Sequence, residues 1–175
     1  MASELASWQD DDDNGWTQDE DTPRQETAPA ADEFACYFIA PNASQLAAQH
    51  LRRLVSVDGG HTSSSHGLIL LIAVGFDAEG SIYPLAWASV TTEATKTWSW
   101  FFQQLKHAYP WLTSAPLALL SDRQKSLTRA VTARLGSVRH YFCTQHLAAN
   151  VDNKYGLAAR KTFTDLAYQY NKQAF

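Results

Sequence analysis

The sequence has little of what would place the protein outside the cell or in a membrane. It contains only two cysteines, Cys36 and Cys143, which excludes a disulfide framework and makes a reducing compartment the default expectation. The longest apolar run, residues 68–76, has about half the length that a membrane-spanning helix needs. The first residues are acidic, whereas a secretory signal begins with basic residues. We therefore expect a protein that is neither secreted nor bound to a membrane.

Basic residues are almost absent from the first 33 positions, which hold eleven acids and one base, Arg24. The same segment has almost no branched aliphatic residues, so burial cannot offset its ordering entropy, and residues 1–33 are expected to be a disordered acidic tail. Residues 34–175 hold thirteen bases and seven acids. The formal charge of −4 for the whole chain therefore hides a basic portion, which would attract a polyanion.

The pattern of apolar residues predicts a single α/β domain, which suits a chain of 175 residues. Residues 34–53 are expected to be a partly helical lead-in, with Ser44 as a candidate helix N-cap. A short polar loop at residues 77–81 predicts a β-hairpin between the second and third strands. Pro84 lacks a backbone donor, so we expect it at a sheet edge or a bulge. The three strand-like runs are residues 51–57, 68–76 and 82–90.

Two amphipathic helices and two more strands complete the predicted order. The first helix has an apolar stripe and ends before Pro110, and the second ends at Gly136. This order of three meandering strands, helix, strand, helix and strand predicts a mixed sheet flanked by helices, followed by a polar helical segment. The residues concerned are Trp98, Phe101, Phe102 and Leu105 in the first helix, Leu127, Ala130, Val131 and Leu135 in the second, and the strands 117–120 and 138–142.

Two aspartates, Asp58 and Asp122, each follow a short apolar run. Carboxylates presented from neighbouring strand ends commonly hold divalent metal ions for phosphodiester chemistry. Asp58 and Asp122 are far apart in the sequence, so they can meet only if their strands are neighbours. Each also has an ordinary structural explanation, because Asp58 precedes two glycines as in a turn and Asp122 precedes a helix as an N-cap does. The joint pattern favours a metal site.

Other polar residues near these aspartates have two interpretations each. Cys143 and His146 have the spacing of half a zinc site, but the sequence offers no second clear pair, so a buried cysteine and an incidental histidine are the alternative. His140 and Cys36 are unsupported as further ligands, and His61 is either a residue of the same cleft or a loop histidine. Basic residues around the second aspartate either bind phosphate or form a solvated face; they are Arg123, Lys125, Arg129, Arg134 and Arg139.

Five segments between residues 54 and 150 resemble, in the family's order, the Mutator-like (MULE) transposases. They are VDGGH at 57–61, AVGFD at 73–77 with IYPLAWA at 82–88, TWSWF at 97–101, SDRQK at 121–125, and CTQHL at 143–147 with Asn150. The family is similar to retroviral integrases, and the resemblance implies an RNase H-like fold, DNA as the partner and a DDE triad that binds two Mg²⁺ or Mn²⁺ ions. By this resemblance Asp58 and Asp122 are catalytic metal ligands. Arg123, Lys125 and Arg129 are candidate DNA contacts because of their charge near Asp122.

The match also contains the family's Cys-x-x-His signature, formed by Cys143 and His146, whose role stays unassigned and for which Zn²⁺ is one interpretation. The third acid of the family lies well downstream of that signature, whereas the last glutamate here, Glu93, precedes Asp122. The later acids, Asp152 and Asp165, have no family-like context. We therefore expect a core truncated at its C-terminus, with residues 151–175 as a partial helical segment. Its two-metal site would be incomplete unless another transposase chain supplied the glutamate.

The sequence leaves two other functions open. One is a domesticated, transposase-derived DNA-binding or transcriptional regulatory protein, which the missing glutamate favours. The other is a ribonuclease of related fold, which is disfavoured because such enzymes carry a glutamate on the first helix and the predicted helix around Trp98 has none in its interior. For the transposase and the regulator alike, the resemblance implies a nuclear location.

Overall fold

The structure is a computed structural model that describes residues 36–62, 67–113, 116–136 and 138–169. The predicted acidic tail, residues 1–33, lies outside the described residues. The strands are β1 (Cys36–Ile39), β2 (Leu54–His61), β3 (Ile69–Phe76), β4 (Ile82–Val90), β5 (Ala118–Ser121) and β6 (Arg139–Phe142). The helices are α1 (Asn42–Ala47), α2 (Thr95–Ala108), α3 (Lys125–Arg134), α4 (Thr144–Tyr155) and α5 (Leu157–Ala167), with 3₁₀ turns at Ala48–His50 and Pro110–Leu112.

The six strands form one mixed sheet in the order β1-β4-β3-β2-β5-β6. Strands β2, β3 and β4 form an antiparallel meander, whereas β5 pairs parallel to β2 and β6 pairs parallel to β5. The sheet is flanked by helices and is compatible with an RNase H-like fold. The predicted fold class is therefore confirmed.

The hydrophobic core lies on one face of this sheet. Alternate strand residues, such as Val55 in β2 and Leu119 in β5, are almost fully buried there. The predicted apolar stripes of α2 and α3 are buried in the same cluster, and the two helices pack against each other. In α2, the rings of Trp98 and Phe102 stack with centroids 5.8 Å apart, and Phe101 packs edge-on against Trp98. Side chains of the intervening strand residues point to the opposite face, because the strand period is two.

The lead-in differs from its prediction in two ways. It contains a strand, β1, that the sequence pattern did not indicate, and this strand pairs antiparallel with the last residues of β4. Ser44 does not cap a helix, because α1 begins two residues earlier, at Asn42, and the Ser44 side chain is buried inside it. The N-cap position is occupied by Pro41, which has no side-chain oxygen to offer.

The predicted hairpin between β3 and β4 is confirmed. The Asp77 carboxylate accepts hydrogen bonds from the backbone N–H groups of Glu79 and Ser81, at 2.9 and 2.8 Å, and Gly80 adopts a positive φ of 90°. The β3–β4 register shifts between Ala73 and Val74, where Val74 pairs with Pro84. Pro84 therefore sits at an irregularity of the ladder, as its missing N–H group predicts.

The polar helical segment after β6 consists of two helices, α4 and α5, which pack against each other. They are separated by Gly156, whose φ of +84° favours a residue without a Cβ. No helix in the described part of the chain is both long and apolar enough to cross a membrane.

Candidate metal centre at the ends of strands β2 and β5

The parallel pairing of β2 with β5 brings the two aspartates to adjacent positions. Ser56 pairs with Leu120, and each aspartate lies two residues further along its own chain. The condition for Asp58 and Asp122 to meet, that the strands before them be neighbours, is therefore fulfilled. Asp58 lies on β2 and Asp122 directly follows β5, so both residues lie just past the end of the β2–β5 pairing.

The structure supports neither the turn explanation for Asp58 nor the N-cap explanation for Asp122. Asp58 lies inside β2, and the two glycines after it continue the strand instead of forming a turn. Asp122 is not the N-cap of α3, because that position belongs to Gln124. Instead, Asp122 Oδ1 accepts a hydrogen bond from the Gln124 backbone N–H at 3.2 Å, within the short link between β5 and α3. This bond holds the Asp122 carboxylate near the end of its strand.

The electrostatic surroundings of Asp122 show which groups share its cleft. Partial burial raises the pKa of Asp122, and the negative charge of Asp58 raises it further. The hydrogen bond from Gln124 and the nearby rings of His146 and His140 act in the opposite direction. Asp58, His140 and His146 are thus each within electrostatic reach of Asp122.

The Cys-x-x-His signature begins where β5 ends. The backbone N–H of Cys143 donates to the Ser121 carbonyl oxygen at 2.6 Å, which fixes Cys143 beside the residue that precedes Asp122. Cys143 is half-buried directly before α4, and His146 is exposed within the first turn of that helix. His140 Nε2 lies 2.8 Å from Ser121 Oγ.

Two other candidate site residues from the sequence lie in different places: Cys36 lies away from the cleft, and His61 lies at its border. Cys36 is exposed on β1, which is at the opposite edge of the sheet from β6. It cannot join a site formed with Cys143. His61 is the last residue of β2 and is exposed, but its ring is close enough to lower the pKa of Glu93. His61 therefore borders the cleft.

Glu93 is the residue of this site that the sequence analysis missed. It lies between β4 and α2, is half-buried, and accepts a hydrogen bond from the indole Nε1–H of Trp98 at 3.2 Å. The same indole N–H points to Gln124 Oε1, 3.3 Å away. Burial raises the pKa of Glu93 and the charge of Asp122 raises it further, whereas the hydrogen bonds from Trp98 and Gln124 lower it. The sequence did contain a signal for Glu93, since a buried tryptophan such as Trp98 generally needs a hydrogen-bond acceptor for its indole N–H.

The donor set fits Mg²⁺ or Mn²⁺ better than Zn²⁺. Magnesium takes hard oxygen ligands and commonly uses only one or two protein carboxylates beside water and substrate phosphates, which Asp58 and Asp122 can supply. A structural zinc site is closed by four ligands. Across the described ranges, no three His, Cys, Asp or Glu side chains are grouped so that they could enclose a metal ion. A Zn²⁺ site built on Cys143 and His146 therefore lacks its remaining ligands among these residues.

Among the basic residues that follow Asp122 in the sequence, Arg123 and Lys125 lie close to the end of β5, whereas Arg134 ends α3 and Arg139 pairs with Ala118 at the other end of β5. All of those singled out from the sequence are exposed: Arg123, Lys125, Arg129, Arg134 and Arg139. Helix α3 begins with Lys125 and has no acidic residue in its first turn. A lysine next to the positive end of the helix dipole is unfavourable unless an anion is close, so this end of α3 suits a phosphate group.

Comparison with known proteins identifies the family. The pattern of the MULE transposase domain matches residues 54–150, which is more than half of the chain and includes both aspartates and the Cys-x-x-His signature. No curated protein matches the chain. The chain belongs to the MULE transposase family.

Proposed function

We propose that this domain cuts and joins DNA strands with Mg²⁺ or Mn²⁺ held by Asp58 and Asp122. The observation that carries the proposal is the parallel pairing of β2 with β5, because Asp58 lies on β2 and Asp122 directly follows β5. Membership of a transposase family implies interaction with DNA and suggests the use of divalent metal ions. A bound ion of this kind activates an attacking water or hydroxyl and stabilises the leaving oxygen.

The residues around the aspartates have separate roles in this proposal. Asp122 is oriented by the Gln124 N–H, and Asp58 projects from the part of β2 that pairs with β3. Arg123, Lys125 and Arg129 contact the DNA backbone, because exposed cations beside the carboxylates would bind the phosphates that flank the scissile bond. These contacts orient the DNA without selecting its sequence.

Two carboxylates do not complete the triad that the family resemblance implies. We therefore propose that a further transposase chain supplies the third carboxylate. We also propose a nuclear location, because the DNA substrate of such a domain would be chromosomal. Strand transfer would then depend on assembly, whereas metal binding at Asp58 and Asp122 would not.

Metal binding by the full chain tests the proposal independently of assembly. We expect Mn²⁺, followed by electron paramagnetic resonance, to bind the unaltered chain and to be lost or weakened at least tenfold in Asp58→Asn and Asp122→Asn. Asp165→Asn is the matched control, because Asp165 is exposed on α5. Equal Mn²⁺ affinity in the unaltered chain and Asp122→Asn would overturn the proposed site. Nicking of supercoiled DNA that vanishes in Asp122→Asn would extend the result to catalysis.

A second candidate function is a DNA-binding or transcriptional regulatory protein derived from a transposase. The exposure of the basic residues on and near α3 favours it, because DNA binding through them needs no metal. DNA affinity that persists in Asp58→Asn and Asp122→Asn, together with no Mn²⁺-dependent nicking, would support this role. Loss of DNA affinity in the same two variants would argue against it.

A further inference from the structure

We infer that Glu93 is a positioning residue of the proposed metal site, which holds the two aspartate-bearing strand ends in a fixed relation to each other. The inference rests on the proposed function, because it assigns Glu93 a role in that same site. It is carried by contacts that Glu93 makes toward both strands, through Trp98 and Gln124 on one side and Gly59 on the other.

The first link runs from Glu93 to Asp122. The Trp98 indole N–H is shared between Glu93 Oε1 and Gln124 Oε1, and the Gln124 side chain also hydrogen-bonds the Glu93 carboxylate. The backbone N–H of the same Gln124 donates to Asp122 Oδ1. A displacement of Glu93 would therefore release the side chain of the residue that orients Asp122.

The second link runs from Glu93 to β2 beside Asp58. A Cβ placed on Gly59 would lie 2.9 Å from Glu93 Cδ and closer still to Oε1. The carboxylate thus occupies the space that any side chain at position 59 would need. The absence of a side chain there lets Glu93 rest directly on the strand, one residue past Asp58.

Trp98, the residue that anchors Glu93, is held rigidly by the core. Trp98 is fully buried, stacks on Phe102 and meets Phe101 edge-on, so its N–H direction is fixed by the core. Glu93 hydrogen-bonds Trp98 and Gln124. In the part of the chain that the structure describes, Glu93 forms no three-residue metal group with the aspartates. These contacts indicate that Glu93 acts through Asp122 and the β2 backbone and is not itself a metal ligand.

The test is the Mn²⁺ affinity of the full chain in Glu93→Ala and Glu93→Gln. Glu93→Ala removes one of the two acceptors of the Trp98 N–H. Residues that orient metal ligands typically change metal affinity about 10- to 100-fold, so a loss of at least about tenfold is expected. Glu93→Gln retains an acceptor oxygen, and its Mn²⁺ affinity should remain within about threefold of the unaltered chain. Glu79→Ala, on the exposed hairpin loop, is the matched control and should change nothing.

The outcomes separate the inference from the proposed function. Full Mn²⁺ affinity in Glu93→Ala, with affinity lost in Asp122→Asn, would overturn the positioning role alone. Affinity in Glu93→Gln as low as in Glu93→Ala would also overturn it, because the charge and not the hydrogen bond would then matter. If Glu93→Ala fails to fold, Trp98→Phe keeps Glu93 and removes the N–H donor of the same bond, together with part of the buried ring. Trp98→Phe should lose affinity about tenfold, and unchanged affinity in it would refute the inference.

Discussion

Replacing Gly59 with alanine tests the contact between Glu93 and β2, and the adjacent Gly60 provides the control. Both glycines lie in β2, and neither has a positive φ, so alanine causes no backbone strain at either position. The two sites differ in their surroundings. A Cβ on Gly59 would collide with the Glu93 carboxylate, whereas a Cβ on Gly60 would meet nothing within 4 Å.

The size of the effect follows from these distances. Ordinary contact begins at 3.4 Å, so Glu93 Cδ, at 2.9 Å from the added Cβ, must retreat by about half an ångström and its Oε1 by more. The Trp98–Glu93 hydrogen bond is already 3.2 Å long and would break. Losing a partner of a half-buried carboxylate costs about 1–3 kcal/mol, and alanine returns about 0.4–1 kcal/mol by restricting the unfolded chain.

We therefore expect Gly59→Ala to lower the free energy of unfolding by about 1 kcal/mol and Mn²⁺ affinity by about tenfold. Gly60→Ala should raise the unfolding free energy by several tenths of a kcal/mol, at most about 1, and leave Mn²⁺ affinity unchanged. Urea unfolding measures the first quantity and electron paramagnetic resonance of Mn²⁺ the second. Equal behaviour of the two variants in both measurements would refute the claim that Glu93 is held against β2.

Three further predictions concern the core and the DNA surface. Burial raises the pKa of Tyr109 to about 12, and its hydroxyl donates to the Leu85 carbonyl oxygen at 2.6 Å. Because the folded-state pKa exceeds the unfolded value of 10, this stabilisation is complete below pH 10 and is lost as the pH rises toward 12. The unfolding free energy should therefore fall by up to about 1.4 kcal/mol per pH unit there, and Tyr109→Phe should lack this fall. Phe101→Ala, at a fully buried ring, should cost about 3–5 kcal/mol in urea unfolding, and a cost below 1 kcal/mol would contradict its place in the core. Lys125→Gln and Arg129→Gln should each reduce the salt slope of DNA binding by about 0.9, and an unchanged slope would exclude them as phosphate contacts.

The sequence predicted best the long helices and strands that bury one face in the core. The four apolar residues of α2, from Trp98 to Leu105, are all buried, and the third strand-like run coincides with β4. Strand β1 was missed because its four residues show no alternation in exposure that could mark a strand. Its existence depends on pairing with the end of β4, which is a contact between distant parts of the chain.

The candidate site was predictable only in part for a similar reason. Asp58 and Asp122 end apolar runs, so a sequence pattern points to each of them. Glu93 was set aside because it precedes Asp122 in the chain, which says nothing about its position in space. Its contacts with Gly59, Trp98 and Gln124 come from three separate elements, and no spacing rule connects them.

The unequal lengths of β2 and β5 explain why the site forms at this point of the sheet. β2 has eight residues and β5 only four, and their pairing ends at Ser56 and Leu120. The part of β2 that begins at Asp58 is therefore paired with β3 on one side and free of β5 on the other. β2 is also the strand at which the sheet changes from antiparallel to parallel pairing, and ligands commonly bind where strand order or direction changes. Because β5 ends at Ser121, the chain can turn at Asp122 into α3, which separates the chain after β5 from the Asp58 end of β2 at the proposed metal site.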